Sequence, residues 1–294
     1  MKKIAVTIFL ILIFCGNTAT TEQLPAFENP NIYISPPTFA QLESSNKIFK
    51  IPGTTVEIDL DKICTEQQNE IVVDKSEAIE QILSSNILDP YSNYLVNDNY
   101  YKFCFKVGIK EVKDGKINIR SVNLVNSVKF NQSSYENKPI IISGLEFKQD
   151  DTGLEINTDT FTILHKITID KSKKGIELNC PNGCLVANST LTGVPASPPA
   201  VSTGIKTLGK DITIKDVTVS NFDIGIDVYS KKSLVEGCEI VGNKMYGLFV
   251  HKDANLSLKS MKSMIGNGDG KSALNAFMLE DGAKYQKTYV ACWV

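Results

Sequence analysis

The chain has 294 residues, with 31 basic and 33 acidic residues and a formal net charge of −2 at pH 7. This balance excludes the strongly basic surface of a nucleic-acid-binding protein, so no nucleic-acid partner is predicted. Hydrophobic residues make up 42% of the chain, as is usual for a globular protein that can bury a sizeable core.

The first 20 residues have the pattern of a secretory signal peptide. Lys2 and Lys3 precede an apolar run over residues 4–14, and small polar residues follow at 16–20. The run is too short to span a membrane comfortably. A lipoprotein signal at Cys15 is the alternative, although Phe14 is bulky where such a signal needs a small residue. We therefore expect a secreted, periplasmic or cell-surface protein with no transmembrane segment after cleavage.

Residues 21–114 show no repeat and are interpreted as an N-terminal cap of mixed α/β structure. Residues 21–52 are proline-rich and read as extended chain, whereas residues 55–63 alternate as a strand does. Residues 74–83 carry apolar positions at helical spacing, with Asp74 or Ser76 as the N-cap. A stack of strands exposes an apolar end and an open edge, so a covering cap is expected there.

From residue 115 onward, a strand, a two-residue break and a second strand recur. Alternation at period two predicts short strands with one buried face. The interval between repeats is 21 to 23 residues, except for one of 28. These elements begin at Ile117, Ile140, Thr162, Cys184, Ile212, Ser233 and Leu256.

A third strand follows each pair, and it usually opens with glycine. The third strands are residues 127–130, 153–156, 175–178, 204–207, 225–228 and 247–250. Final strands are predicted over residues 276–279 and 288–294. Each unit can hide its apolar face only against its neighbours, so the repeat predicts a coil of strands.

This repeat resembles the right-handed parallel β-helix, the pectate-lyase-like superfamily of three-strand coils. The resemblance covers residues 115–294 and implies an all-β fold of about seven to eight turns. A sandwich or jelly roll also has many short strands, but an antiparallel fold has no reason to repeat three strands every 22 residues.

Six of the seven cysteines remain after the predicted cleavage, and an even number in an exported protein suggests disulfides. Cys180 and Cys184 flank Pro-Asn-Gly, a turn that could bring the two thiols together. A bond between Cys64 and Cys104 would tie down the cap. Cys238 is predicted to be a buried thiol, and a zinc site at Cys180 and Cys184 lacks a second ligand pair.

The outward side chains of the third strands form two rows. The first row is Lys129, Glu155, Glu177, Lys206, Asp227 and Phe249, and the second is Asn131, Asn157, Asn179, Leu208, Tyr229 and His251. Adjacent turns stack about 4.8 Å apart. Glu155 and Glu177 would therefore repel each other unless a cation or Lys206 offsets their charge.

Two chemistries fit the first row, and the resemblance makes this strand a candidate substrate groove. In a lyase, carboxylates hold Ca²⁺ against a uronate while a basic group removes a proton. In an inverting hydrolase, two carboxyl groups about 6.5–9.5 Å apart act as acid and base. Ca²⁺ is thus the candidate cofactor. The candidate catalytic residues are Glu155, Glu177, Lys206 and Asp227, and the candidate substrate-binding residues are Tyr229, Phe249 and His251.

The motifs of known enzymes in the superfamily are not present. Residues 157–159 match the first polygalacturonase motif, but the paired aspartates, the Gly-His-Gly and the Arg-x-Lys that should follow are absent. Charged outward residues are also common on solvated strands, and Asn131, Asn157 and Asn179 fit an amide ladder. His165 is predicted to be an exposed turn residue.

The 28-residue interval contains about six extra residues, which lie within residues 192–201. Insertions in repeat folds form loops on one face, often the binding face. Two functions stay open. One is a protein that binds or processes a polysaccharide or cell-surface glycan, as a lyase or hydrolase if it is an enzyme. The other is a non-catalytic, adhesin-like surface protein.

Overall fold

A computed structural model describes residues 32–34, 47–64, 70–73, 94–107, 109–113, 116–120, 128–131, 138–148, 153–268 and 277–287. Its first strands in chain order are β1 (Ile32–Ile34), β2 (Ile48–Lys50), β3 (Glu57–Asp59), β4 (Glu70–Val73), β5 (Leu95–Val96), β6 (Tyr100–Val107), β7 (Ile109–Lys113), β8 (Lys116–Arg120) and β9 (Val128–Asn131). Within the described ranges, no helix is long and apolar enough to cross a membrane.

The remaining strands are β10 (Ile140–Ser143), β11 (Glu146–Lys148), β12 (Leu154–Asn157), β13 (Thr162–His165), β14 (Thr168–Ser172), β15 (Lys174–Asn179), β16 (Cys184–Ala187), β17 (Thr190–Gly193), β18 (Thr203–Thr207), β19 (Ile212–Lys215), β20 (Thr218–Ser220), β21 (Ile224–Val228), β22 (Ser233–Glu236), β23 (Glu239–Val241), β24 (Tyr246–Val250), β25 (Asn255–Lys259), β26 (Phe277–Leu279) and β27 (Lys284–Lys287).

Three parallel sheets run along the coil, and each of the five turns from β10 to β24 gives one strand to each sheet. Sheet A has the order β1-β27-β25-β22-β19-β16-β13-β10-β6-β4, with β5 added antiparallel to β6. Sheet B has the order β11-β14-β17-β20-β23, and sheet C has the order β26-β24-β21-β18-β15-β12-β9. The predicted right-handed parallel β-helix of about seven to eight turns is therefore confirmed, since sheet C alone contains seven strands.

The core lies inside the coil and is lined by apolar side chains from all three sheets. In sheet C the inward pairs of four turns are Leu154 and Ile156, Ile176 and Leu178, Ile226 and Val228, and Leu248 and Val250, all at most 2% exposed. Burying one such side chain contributes about 1.5–3 kcal/mol. Each turn buries its apolar side chains against the side chains at the same position in the adjacent turns. A single turn is therefore stabilised only when its neighbours are present.

A left-handed residue makes the corner between the first and second strands of each turn. The corner residues and their φ angles are Gly144 (86°), Lys166 (51°), Asn188 (50°), Asp216 (52°), Gly237 (63°) and Ser260 (48°). A single residue in this region turns the chain sharply between two extended segments. This corner is the structural basis of the two-residue break in the repeat.

The first predicted turn, at Ile117, is wrong. Ile117 lies in β8, which pairs antiparallel with β7, with Val112 opposite Ile117. Its expected place beneath β10 is taken by β6, where Tyr101 pairs with Ile140. The reason is that β6 also alternates apolar and polar residues and lies within the region predicted as cap. The division into a cap over residues 21–114 and a coil over residues 115–294 stays a prediction.

A hairpin from the N-terminal region covers the outer surface of sheet A. β2 and β3 pair antiparallel. A strand is predicted over residues 55–63, and the strand observed there is the shorter β3, Glu57–Asp59. Ile51, Ile58, Leu60 and Ile63 pack on Ile141, Ile163 and Leu185 of sheet A. The Cys64–Cys104 disulfide ties this hairpin to β6. β1 lies elsewhere, parallel to β27 at the far edge of sheet A.

Several sequence predictions fall outside the described residues. These are the signal peptide over residues 1–20, the helix over residues 74–83, the strand over residues 288–294, and Cys292. The final strand predicted over residues 276–279 is present as β26.

Candidate functional site

The first outward row of sheet C has the predicted register. Glu155 pairs with Lys129 and with Glu177, Glu177 pairs with Lys206, and Lys206 pairs with Asp227. Beyond them, Asp227 pairs with Phe249, and Phe249 with Met278. The sequence-predicted residues therefore lie side by side along one face of the coil.

At the early turns, these outward side chains mostly bind one another. Lys206 Nζ lies 3.5 Å from Glu177 Oε1. Asn157 Nδ2 donates to Glu155 Oε1 at 2.8 Å, and Asn179 Nδ2 donates to Asn157 Oδ1 at 3.1 Å. The amide ladder expected at Asn157 and Asn179 is thus present. The contacts offset part of the repulsion between the two glutamates.

The later turns bring three ionisable side chains together around His251. Its Nε2 lies 2.7 Å from Asp227 Oδ1, within hydrogen-bond distance, and its Nδ1 lies 3.4 Å from Glu280 Oε2. The exposed fractions of the side chains are 14% for His251 and 9% for Asp227, against 40% for Glu280. One imidazole therefore lies between a buried and a half-exposed carboxylate, an arrangement that can pass a proton between them.

Two aromatic rings hold the imidazole in place. The Tyr229 ring stacks on it with centroids 3.6 Å apart and planes inclined by 12°, and the Phe249 ring lies at 4.1 Å and 35°. Tyr229 is 41% exposed, and Lys206 Nζ lies 5.8 Å from its ring centroid. The Tyr229 ring thus contacts both His251 and Lys206, which lies in the preceding turn. The exposed part of the ring presents apolar surface to solvent.

Burial shapes the electrostatics of this cluster. It raises the pKa of Asp227 above the ordinary value, and the neighbouring His251 opposes that rise. The pKa of Tyr229 is also raised, first by burial and then by the charges of Asp227 and Glu280. Asp227 therefore holds a proton to higher pH than an exposed aspartate, which suits a general acid.

Glu280 is the residue of this cluster that sequence reasoning missed. β26 continues the register of β24, with Leu279 opposite Val250. The next residue, Glu280, thus continues the second row beyond His251, and its backbone N–H donates to the carbonyl of Val250 at 2.9 Å. The signal was the final strand predicted over residues 276–279, since extending that strand by one residue reaches Glu280.

The carboxylates of this face do not form a metal site. In the described part of the chain, no three His, Cys, Asp or Glu side chains are grouped so that they could hold a metal ion. Glu155 and Glu177 are neighbours; Glu155 accepts a hydrogen bond from Asn157, and Glu177 pairs with Lys206. The sequence-based suggestion of Ca²⁺ therefore gains no support from these residues and stays a prediction.

His165, predicted to be an exposed turn residue, is instead buried. It ends β13, is 0% exposed, and has Ser143 Oγ 3.0 Å from Nδ1 and Asn188 Nδ2 3.2 Å from Nε2. The backbone of Leu60 in the covering hairpin is also a partner. The prediction is wrong because the N-terminal hairpin covers this outward position. Burial, together with Lys166, lowers its pKa to about 4.

The cysteine predictions are confirmed for the residues that the structure describes. Cys64 bonds to Cys104 and Cys180 bonds to Cys184. Cys238 is free and fully buried, and burial raises the pKa of its thiol to about 12. A thiol in this state is a core side chain and not a nucleophile.

The extra residues of the long turn are fixed by one buried carboxylate. Asp223 Oδ2 accepts hydrogen bonds from the backbone N–H groups of Ala196 and Ser202, both at 2.8 Å, and from Ser202 Oγ at 3.0 Å. Asp223 is 3% exposed. The loop that leads into β18 and Lys206 is therefore anchored to the next turn.

Comparison with known proteins bears on the fold. Residues 152–270 match the family described as right handed beta helix region. No curated protein and no solved structure matches the chain.

Proposed function

We propose that the outward face of sheet C, from Glu177 to Glu280, binds a polysaccharide or cell-surface glycan. The observation that carries this proposal is the cluster of Asp227, His251 and Glu280 beside the half-exposed ring of Tyr229. Carboxylates and an imidazole can exchange hydrogen bonds with sugar hydroxyls, and an exposed aromatic ring offers an apolar surface to a pyranose. A ladder of strands about 4.8 Å apart suits an extended polymer.

The same cluster supports cleavage of the bound chain. Asp227, with its raised pKa, is suited to protonate a leaving glycosidic oxygen. Glu177 lies two turns away through Lys206, about 10 Å along the sheet by strand spacing, near the separation used by inverting hydrolases. In this proposal Asp227 acts as the general acid and Glu177 as the general base. His251 contacts Asp227 and controls its protonation by lowering its pKa.

A non-catalytic surface protein is the second candidate. It is favoured by the contacts of Glu177 with Lys206 and of Asp227 with His251, because charges that satisfy one another can serve only to stabilise a solvated face. In both cases we propose export of the mature protein. The two disulfides are compatible with an oxidising compartment.

A glycan array probed with the labelled mature protein tests the binding. The Tyr229→Ala variant should lose at least about tenfold in affinity, whereas Ile265→Ala should bind as the unchanged protein does. Ile265 is the matched control because it is also exposed (46%) but lies outside the two rows. New reducing ends that vanish in Asp227→Asn establish cleavage, and binding without products favours the non-catalytic candidate. If no glycan binds, the proposal is wrong.

A further inference from the structure

The binding face proposed above carries excess negative charge. Between Glu177 and Glu280 its two rows contain three carboxylates, from Glu177, Asp227 and Glu280, and one ammonium group, from Lys206. The formal charge of these groups is −2 when His251 is neutral. Negative potential along a groove repels polyanions and weakens their binding.

The basic side chains of the face, Lys206 and His251, already contact carboxylates. Lys206 lies against Glu177 at 3.5 Å, and both nitrogens of His251 face carboxylates. A uronate or sulfate group arriving here would have to displace one of these partners. It would also meet Asp227 and Glu280 at short range, and no described metal-ligand cluster exists to bridge the like charges.

An uncharged sugar meets no such repulsion. Carboxylate oxygens accept hydrogen bonds from sugar hydroxyls, and charge-assisted bonds of this kind are the strong ones. Leu208 and Tyr229 occupy successive turns of the second row and are 37% and 41% exposed, so they supply apolar contact beside the carboxylates. Both features favour hydroxyl-rich, neutral rings.

We propose that this face selects neutral glycans over polyuronates and sulfated glycans. The inference rests on the proposed function and specifies its ligand class. Sugars with free amines, which would be attracted by the same charge, form the competing class and are distinguished below.

Isothermal titration of the mature protein with hexasaccharides tests the selection. The probes are cellohexaose, xylohexaose and mannohexaose as neutral chains, hexagalacturonate as the acidic chain and hexaglucosamine as the cationic chain. At low salt, we expect at least one neutral chain to bind at least tenfold more tightly than hexagalacturonate. The Glu177→Gln/Glu280→Gln double variant should strengthen binding of hexagalacturonate several-fold, because it removes two of the repelling charges.

Glu239→Gln is the matched control, since Glu239 lies in β23 of sheet B, away from the two rows. It should leave every affinity unchanged. Tighter binding of hexagalacturonate or of hexaglucosamine than of all three neutral chains overturns the inference but leaves glycan binding standing. Binding of none of the five contradicts both proposals.

Discussion

His251 and Asp227 come from consecutive turns, 24 residues apart, yet their side chains meet at 2.7 Å. Asp227 belongs to the first outward row and His251 to the second, so the contact is diagonal across sheet C. It places a basic group on a carboxylate whose charged form burial disfavours, in addition to the neighbouring charge of Lys206. The pair therefore matters for both stability and proton transfer.

This contact predicts a pH-dependent cost for removing His251. In His251→Ala, Asp227 loses the neighbour that lowers its pKa most, so its folded-state pKa rises further above the unfolded value near 3.8. The penalty is therefore present at pH 7 and disappears below the unfolded pKa, where the carboxyl is protonated in both states. Denaturant unfolding should show a loss of about 3 kcal/mol at pH 7 and clearly less at pH 3.5.

The double variant His251→Ala/Asp227→Asn supplies the control. It removes the unpaired charge and should recover the pH-dependent part of the loss, while the loss of ring contacts with Tyr229 and Phe249 remains. A penalty of equal size at both pH values in His251→Ala would mean that packing alone explains its role.

Replacement of Asp223 should loosen the long turn. Asp223→Ala leaves the buried N–H groups of Ala196 and Ser202 without an acceptor, which costs about 3 kcal/mol or more in the free energy of unfolding. Asp223→Asn retains an oxygen that can accept these bonds and should lose less. Lys232→Ala is the control, because Lys232 is 72% exposed in its ion pair with Asp211 and should cost less than about 1 kcal/mol. Equal effects of Asp223→Ala and Lys232→Ala would refute this anchoring role.

The two disulfides should differ in their contribution to stability. Cys64 and Cys104 are separated by 40 residues and Cys180 and Cys184 by 4. In the chain-entropy description, the bond between Cys64 and Cys104 contributes about 4 kcal/mol to the free energy of unfolding. The bond between Cys180 and Cys184 closes a much shorter loop and contributes about 2 kcal/mol.

Chemical denaturation of the two double alanine variants measures the difference. Cys238→Ala serves as the control, because it removes a buried sulfur without breaking a bond. If the bond between Cys180 and Cys184 contributes more after this correction, local packing outweighs loop entropy.

His165 should make the protein sensitive to mild acid. Its folded-state pKa is lowered from 6.5 to about 4, so its stabilising effect is complete above pH 6.5 and is lost as the pH falls toward 4. Between pH 7 and pH 4.5, the unchanged protein should lose about 2 to 3 kcal/mol more of its free energy of unfolding than His165→Gln does, because glutamine has no ring to protonate. Nearby Asp61 and Lys166 are unchanged by the substitution. Parallel pH profiles of the two proteins would contradict the prediction.

The repeat can be recognised from the sequence because an aliphatic residue recurs at the same inward position of successive turns. Ile142, Leu164, Val186, Ile214 and Val235 share a column of sheet A, and each turn fixes the register of the next. Ile117 and Ile119 show the same alternation, so the local sequence does not distinguish their antiparallel hairpin from a strand of the coil. The two are distinguished by the strand with which each one pairs.

The candidate site was predictable only in part. Asp227, Tyr229, Phe249 and His251 follow from strand alternation and the 22-residue frame. Glu280 joins them after a stretch that interrupts the frame, so its place depends on where β26 rejoins sheet C. The burial of His165 depends on a hairpin that begins about a hundred residues earlier in the chain. The sequence of β13 alone cannot predict that contact.

The chain contains only two histidines, one inside the proposed binding face and one beneath the N-terminal hairpin. The imidazole signals of the mature protein in a ¹H–¹³C NMR spectrum, titrated with cellohexaose, xylohexaose and mannohexaose, therefore test the central claim with an internal reference. We predict that the His251 signal shifts saturably with at least one of the three while the His165 signal stays in place. Saturable binding that leaves His251 unmoved, or that moves only His165, would contradict the assignment of the glycan site to this face.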